Sequence, residues 1–177
     1  MKSKFILLVI FGTILFAPVI TAAQKKPSAE EQRLFSAEDD SVQHPIELPD
    51  GVIEILKQDQ LVKNSLEYEN LPANQLPAFW FSVSEIHLAG PDEMDLVVEA
   101  QGLLRGANTI RFWVVRPNSH GFEMLLMTAA HDLLVRNRRS GGYKEIEAIA
   151  VIQQKVVTVR YRFDGTQYRA VGDKTKN

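Results

Sequence analysis

Cysteine is absent from all 177 residues. That excludes disulfides, thiolate zinc ligands, a cysteine nucleophile, and the lipid attachment that lipoproteins make through a cysteine at the cut. Histidine occurs only four times, as His44, His87, His120 and His131. No Gly-x-Ser-x-Gly elbow and no His-Glu-x-x-His helix is present, so neither local hydrolase signature is available. The stretches "GLLRG" and "SGG" lack the Lys-Ser/Thr and the glycine spacing of a phosphate loop, and no cofactor is expected. A basic excess is missing too: 20 Lys and Arg stand against 22 Asp and Glu. That balance provides no overall field to hold nucleic acid.

One long apolar run is present. "MKSK" carries Lys2 and Lys4, "FILLVIFGTILF" (Phe5–Phe16) follows, and "APVITAA" ends on small residues. This is the order of a bacterial secretory signal peptide, with Thr21 and Ala23 suitably placed for a cut after Ala23. The alternative is a permanent anchor over Phe5–Ala23, just long enough to span a bilayer at roughly 20 residues. Pro18 and the shortness of the central run favour cleavage, hence a periplasmic or extracellular protein. Losing Lys2 and Lys4 leaves 18 basic against 22 acidic residues, a charge of −4. A membrane association is expected only if the leader stays on.

The remaining chain reads as a linker (24–45), one α+β domain (46–171) and a polar tail (172–177). The linker "QKKPSAEEQRLFSAEDDSVQHP" has few large apolar residues, too few to offset its ordering entropy. In "LPDGVIEILKQDQLVKNSLE", Val52, Ile55 and Leu56 recur at helical spacing. The pattern predicts a helix over roughly 50–62, capped by Asp50 and apolar on the face toward a sheet. From Ala78 the period changes to two. About seven strands joined by short turns predict an antiparallel meander, with that one helix packed on it. In "AFWFSVSEIHLAG" the apolar parity switches between Val83 and Ile86, which predicts a bulge near Ser84–Glu85. "TIRFWVVRP" is apolar on both parities and reads as a central strand. "VVTVRYRFDGTQYR" reads as a hairpin with a two-residue Asp-Gly turn, Phe163 facing Thr166 and Tyr161 facing Tyr168. A faint duplication relates "MDLVVEA…IRFWVVRPNSHGFEMLL" to "YKEIEAIAV…VRYRFDGTQYRAV", within a single open or wrapped sheet.

Taken together, "FSVSEIHLAGPDEMDLVV", "LLRGANTIRFWVVR", "GFEMLL", "GGYKEIEA" and "YRFDGTQY" resemble a group of uncharacterised secreted bacterial β-rich proteins. The second half is also similar to solitary units of repeat-built β-proteins. The resemblance covers roughly Phe79–Arg169. It implies a secreted β-rich domain and brings no activity and no site residues with it.

Four groups of residues merit weighing as sites. His87 and Glu85, two apart on a strand, share a face, a geometry that can orient an imidazole as a base. Asp92, Glu93 and Asp95 in "GPDEMD" could supply part of a calcium site, or form a solvated turn. Arg136, Arg138 and Arg139 in "RNRR" are the sharpest charge feature. With Arg105, Arg111 and Arg116 they could meet an acidic glycan, lipid headgroup or protein, or serve singly as strand-edge charges against aggregation. Trp80 and Trp113 lie in dense apolar strands and read as core anchors before sugar platforms. The expected function is that of a non-enzymatic binding domain for an unknown protein or envelope component. The alternatives are an envelope hydrolase assembled from separate strands and a membrane-tethered structural module.

Overall fold

The run "DLVVEA" (Asp95–Ala100) offers nothing to solvent: all six residues are buried. Such a strand needs cover on both faces, and the architecture meets that need. The computed structural model describes residues 31–176; the leader expected at 1–23 and the first part of the expected linker lie outside them. Ten strands form among the described residues: β1 (Leu34–Ser36), β2 (Pro45–Ile46), β3 (Phe81–Ile86), β4 (Asp95–Ala100), β5 (Ile110–Asn118), β6 (Gly121–Ala130), β7 (Asp132–Ser140), β8 (Tyr143–Ile152), β9 (Lys155–Phe163) and β10 (Tyr168–Lys176). Two helices, α1 (Asp50–Leu56) and α2 (Gln60–Tyr68), precede β3. None of the described helices is long and apolar enough to cross a membrane.

The fold is α+β and antiparallel, but it is not one meander. It has two five-stranded sheets, a central one in the order β2-β3-β4-β5-β6 and an outer one in the order β1-β7-β8-β9-β10. Each is a four-stranded meander with a short strand from the N-terminal segment added at one edge. The chain passes between sheets at His131, where β6 ends and β7 begins. The two units of the faint duplication fall at matching positions, β4-β5-β6 in one sheet and β8-β9-β10 in the other. The expected single sheet is therefore corrected to two stacked ones.

Three layers follow from the side chains. Val83, Leu96, Val98, Trp113 and Val115 pack against Val52 and Leu56 of α1 and Val62 and Leu66 of α2. On the other face Ile86, Val97, Phe112, Val114 and Leu125 meet Phe35, Leu133, Val135, Ile146 and Tyr168 of the outer sheet. The parity switch between Val83 and Ile86 thus needs no bulge, and β3 pairs with β4 in continuous register. Both faces of β3 are core. The expected central strand in "TIRFWVVRP" is present as β5, and Trp80 and Trp113 are buried anchors.

The helical layer differs from the single helix expected over 50–62. It breaks at Lys57–Asp59, and the capping residue is Asp59, not Asp50. Asp59 Oδ1 accepts from the Leu61 amide at 2.7 Å, and Oδ2 accepts from the Trp113 indole nitrogen at 2.9 Å. One carboxylate thereby starts α2 and satisfies the polar end of a fully buried Trp. The linker reading also gives way over the described residues: Phe35 and Val42 are buried and β1 and β2 are paired. The polar tail expected from 172 continues instead as β10, bent by a bulge between Ala170 and Gly172.

The terminal hairpin has a longer loop than two residues. Tyr168 pairs with Phe163 and Ala170 with Tyr161. Asp164 Oδ1 accepts from the amides of Thr166 and Gln167, each at 2.9 Å, and Gly165 takes the left-handed conformation. The side-chain oxygen mimics a turn carbonyl, and the hairpin widens accordingly. Its aromatics still pair, with Phe163 and Tyr168 ring centroids 5.6 Å apart.

Replacing Asp59 by alanine should remove both a helix cap and the acceptor of a buried indole. A loss of roughly 2–4 kcal/mol is expected. It is read as a lower urea midpoint with unchanged slope; an unaltered midpoint would remove Asp59 from this role.

Candidate functional site

Strand parity decides which outer-sheet residues reach solvent. Ile146 and Ala148 of β8 point into the inter-sheet core, so Glu145 and Glu147 point outward. The register places Glu147 opposite Arg160 of β9, and Ile146 opposite Tyr161. Outward positions of β7 and β9 therefore bring Arg136, Arg138, Arg160 and Arg162 around the two glutamates. Arg162 Nε donates to Glu145 Oε1 at 2.8 Å, and Arg136 Nε to Glu147 Oε2 at 2.9 Å. Arg160 Nε lies 3.4 Å from Glu147 Oε1 and 3.8 Å from Glu145 Oε2, bridging the pair. Arg138 approaches Glu145 at 3.5 Å.

The glutamates are covered by this arrangement, while the Arg138 side chain stays 65% exposed. Burial opposes ionisation of Glu147, but hydrogen bonds from Arg136 and Arg160 outweigh it and lower its pKa. Arg160 and Arg162 are held through Nε, so their Nη donors make no hydrogen bond among the described residues. Guanidinium groups held in this way are oriented before any ligand arrives. With Lys174 of β10 they line an open depression of about 380 Å³, together with Glu147, Thr158 and Val171. Counting Arg138 beside it, five cations meet two carboxylates there.

The expected basic cluster is only partly brought together. Arg136 and Arg138 share the outer face, but Arg139 does not. A bulge between Val135 and Arg139 turns it back, and its Nη1 donates to the carbonyls of Gly142 (2.5 Å), Leu88 (3.3 Å) and Ala89. Arg105, Arg111 and Arg116 are elsewhere. Arg105 donates to the carbonyls of Ala37 and Asp39, Arg111 lies beside Asp59, and Arg116 is between the sheets. Arg111 and Arg116 belong to β5, an interior strand, so an edge-guarding role does not apply to them.

The acidic turn separates likewise. Asp92 and Glu93 are exposed, whereas Asp95 is wholly buried. Asp95 accepts from Arg116 Nε at 2.8 Å and from the Leu88 amide at 3.1 Å. Burial works against the Arg116 charge, and Asp95 outweighs it, raising the Arg116 pKa. The guanidinium lies over the Tyr143 ring, 4.8 Å from its centroid, and joins the two sheets. Asp95 is thus part of an ion pair between neighbouring strands of the central sheet and not of a group with Asp92 and Glu93.

His87 and Glu85 do meet, with Nε2 3.2 Å from Oε1. Glu31 lies on the other side, 3.6 Å from Nδ1, and is itself held by Lys144 at 2.7 Å. His44 and Ser84 complete a shallow hollow of about 240 Å³. The hollow thus collects two imidazoles, of His44 and His87, and two carboxylates, of Glu31 and Glu85. The hollow has a base and two acids. Its hydroxyl, that of Ser84, is buried and directed at the Glu85 carbonyl 3.5 Å away.

Arg160, Arg162, Lys174, Glu145 and Glu147 were not singled out from the sequence. A signal for them exists: Thr158, Arg160 and Arg162 occupy the polar parity of β9, and "EIE" repeats that parity on β8. Comparison with known proteins finds no match: no family model, no curated protein and no solved structure is similar to this chain.

A further titratable group lies between the sheets. Glu99 is 1% exposed, and neither carboxyl oxygen has a hydrogen-bond partner among the described residues. Burial pushes its pKa up to about 7, Arg105 at 3.7 Å draws it down, and Asp39 raises it. The folded chain thus holds this proton more tightly than the unfolded chain does. Stability falls as pH rises from about 4.5 to about 7 and levels off above. Glu99→Gln should accordingly stabilise the protein at pH 8, by on the order of 2 kcal/mol, and change little at pH 4. Urea midpoints at the two pH values check this; equal effects at both would contradict it.

Proposed function

We propose that this chain is an exported, non-enzymatic domain that binds an anionic protein or envelope component on the outer face of its outer sheet. The observation that carries the reading is the arginine lattice. Three guanidinium groups, those of Arg136, Arg160 and Arg162, are hydrogen-bonded to two covered glutamates, with the exposed Arg138 at their margin 3.5 Å from Glu145, on a sheet face that no other layer covers among the described residues. The leader supports delivery across the membrane. Carboxylate, phosphate and sulfate groups all suit the free Nη donors. Such binding weakens with salt, because surface cations are screened beyond about 10 Å at 0.1 M.

The test uses two peripheral cations, so that the lattice around Glu145 and Glu147 stays intact. Arg138→Gln with Lys174→Gln should weaken binding of fluorescent poly-L-glutamate or dextran sulfate at least tenfold at low salt. Lys57→Gln with Lys63→Gln, on the helical layer, should leave it unchanged. Equal binding by both double variants would contradict the assignment.

A second reading rests on the His87 hollow. Two acids around an imidazole can move a proton, so an envelope hydrolase in which substrate or water supplies the nucleophile is the alternative. Turnover of a cell-wall or ester substrate that disappears in His87→Ala or Glu85→Gln would replace the binding reading with this one.

A further inference from the structure

Beside the helical layer, β6 forms the free edge of the central sheet. The corner between α1 and α2 leaves part of that edge uncovered. An open cleft of about 340 Å³ results, lined by Ile55, Asp59, Gln60, Arg111, Met124 and Met127. This is within the usual range of small-molecule sites, roughly 300–1,000 Å³. Two of its walls are methionines, whose flexible thioethers adapt to apolar shapes. Met127 is half exposed, a poor position for an apolar side chain with no neighbour to cover it.

Among the described residues, Arg111 is the one cation that lines this cleft, beside Gln58, Asp59 and Gln60. Its side chain is partly covered, and its one acidic contact is Asp59 at 3.8 Å. Asp59 cannot answer the guanidinium fully, because Oδ1 accepts from the Leu61 amide and Oδ2 from the Trp113 indole. Among the described residues Arg111 therefore makes no hydrogen bond, although it carries five donors in a planar fork. A partly desolvated cation with open donors beside apolar walls suits an apolar body ending in an anionic group, and a carboxylate is the smallest planar match to the guanidinium fork.

We propose that this cleft binds a small aliphatic carboxylate, with its chain against Ile55, Met124 and Met127 and its carboxylate on Arg111. The site is separate from the outer-sheet face and does not depend on the function proposed for that face. Arg111 supplies a two-point contact that a neutral headgroup cannot use equally well. The apolar walls account for the preference for a chain over a bare anion.

The chain has four methionines, so methyl-labelled methionine reports the site directly. Met94 lies before the first residue of β4 and serves as the reference. Titration of the full chain with octanoate should shift the Met124 and Met127 methyl resonances saturably and leave Met94 in place. Octanol or acetate should bind at least tenfold more weakly. Arg111→Gln should lose at least tenfold in octanoate affinity, and Met127→Ser, at the exposed wall, should lose as much without placing a charge beside Arg111. The proposal is overturned if octanol binds as well as octanoate, if both variants bind normally, or if no saturable shift occurs.

Discussion

Every layer of this protein answers one constraint: the central sheet is apolar on both faces and has to be covered twice. β4 and β5 carry large side chains at successive positions, so neither face can be given to water. The chain meets the demand from both directions in sequence. Two short helices before β3 cover one face, and the four-stranded meander after β6 covers the other. At about 25 cal/mol for each Å² of apolar area removed from water, these two interfaces dominate the favourable side of folding.

Covering the central sheet with a second sheet leaves that second sheet half uncovered, and its outer face carries charge. The charge is organised in place of being scattered. Glu145 and Glu147 lie beneath guanidinium groups, each carboxylate with more than one arginine. Removing one partner of such a buried pair is costly, whereas the exposed cations around it contribute little to stability. Lattice and periphery therefore separate: the covered pairs hold the arginines in position, and the outward Nη donors of Arg160 and Arg162 make no hydrogen bond among the described residues. Between the sheets, Asp95 and Arg116 use the same chemistry for architecture alone, with Tyr143 stacked on the guanidinium. The spacing that made the two halves of the chain look alike thus serves an inner face in one sheet and an outer face in the other.

The strands were legible because their pattern is local. Alternation in "VVTVRYRF" and the double-sided run in "TIRFWVVRP" follow from period two and from burial on both faces. What depended on distant partners was not legible. The switch between Val83 and Ile86 looked like a bulge because a sequence read alone does not reveal that two different layers claim the two parities. Phe35 and Val42 looked too sparse to fold, since the core that receives them comes from β7 and from the central sheet. Arg139 was grouped with Arg136 and Arg138 by adjacency, and the bulge in β7 sends it to the Leu88–Ala89 carbonyls. The lattice itself needed the register of β8 against β9, which places residues from separate segments on one face.

The absence of cysteine makes the central claim directly measurable, since any single cysteine introduced is the only thiol. Thr158→Cys, in the middle of the outer face, is compared with Val114→Cys, between the two sheets, for reaction with a small thiol reagent under native conditions. If the outer face is open, the first thiol should react at close to the rate of the unfolded chain while the second is slowed at least a hundredfold. Equal protection of both would mean that another part of the chain covers the outer sheet, and the account of an uncovered, arginine-lined docking face would be wrong.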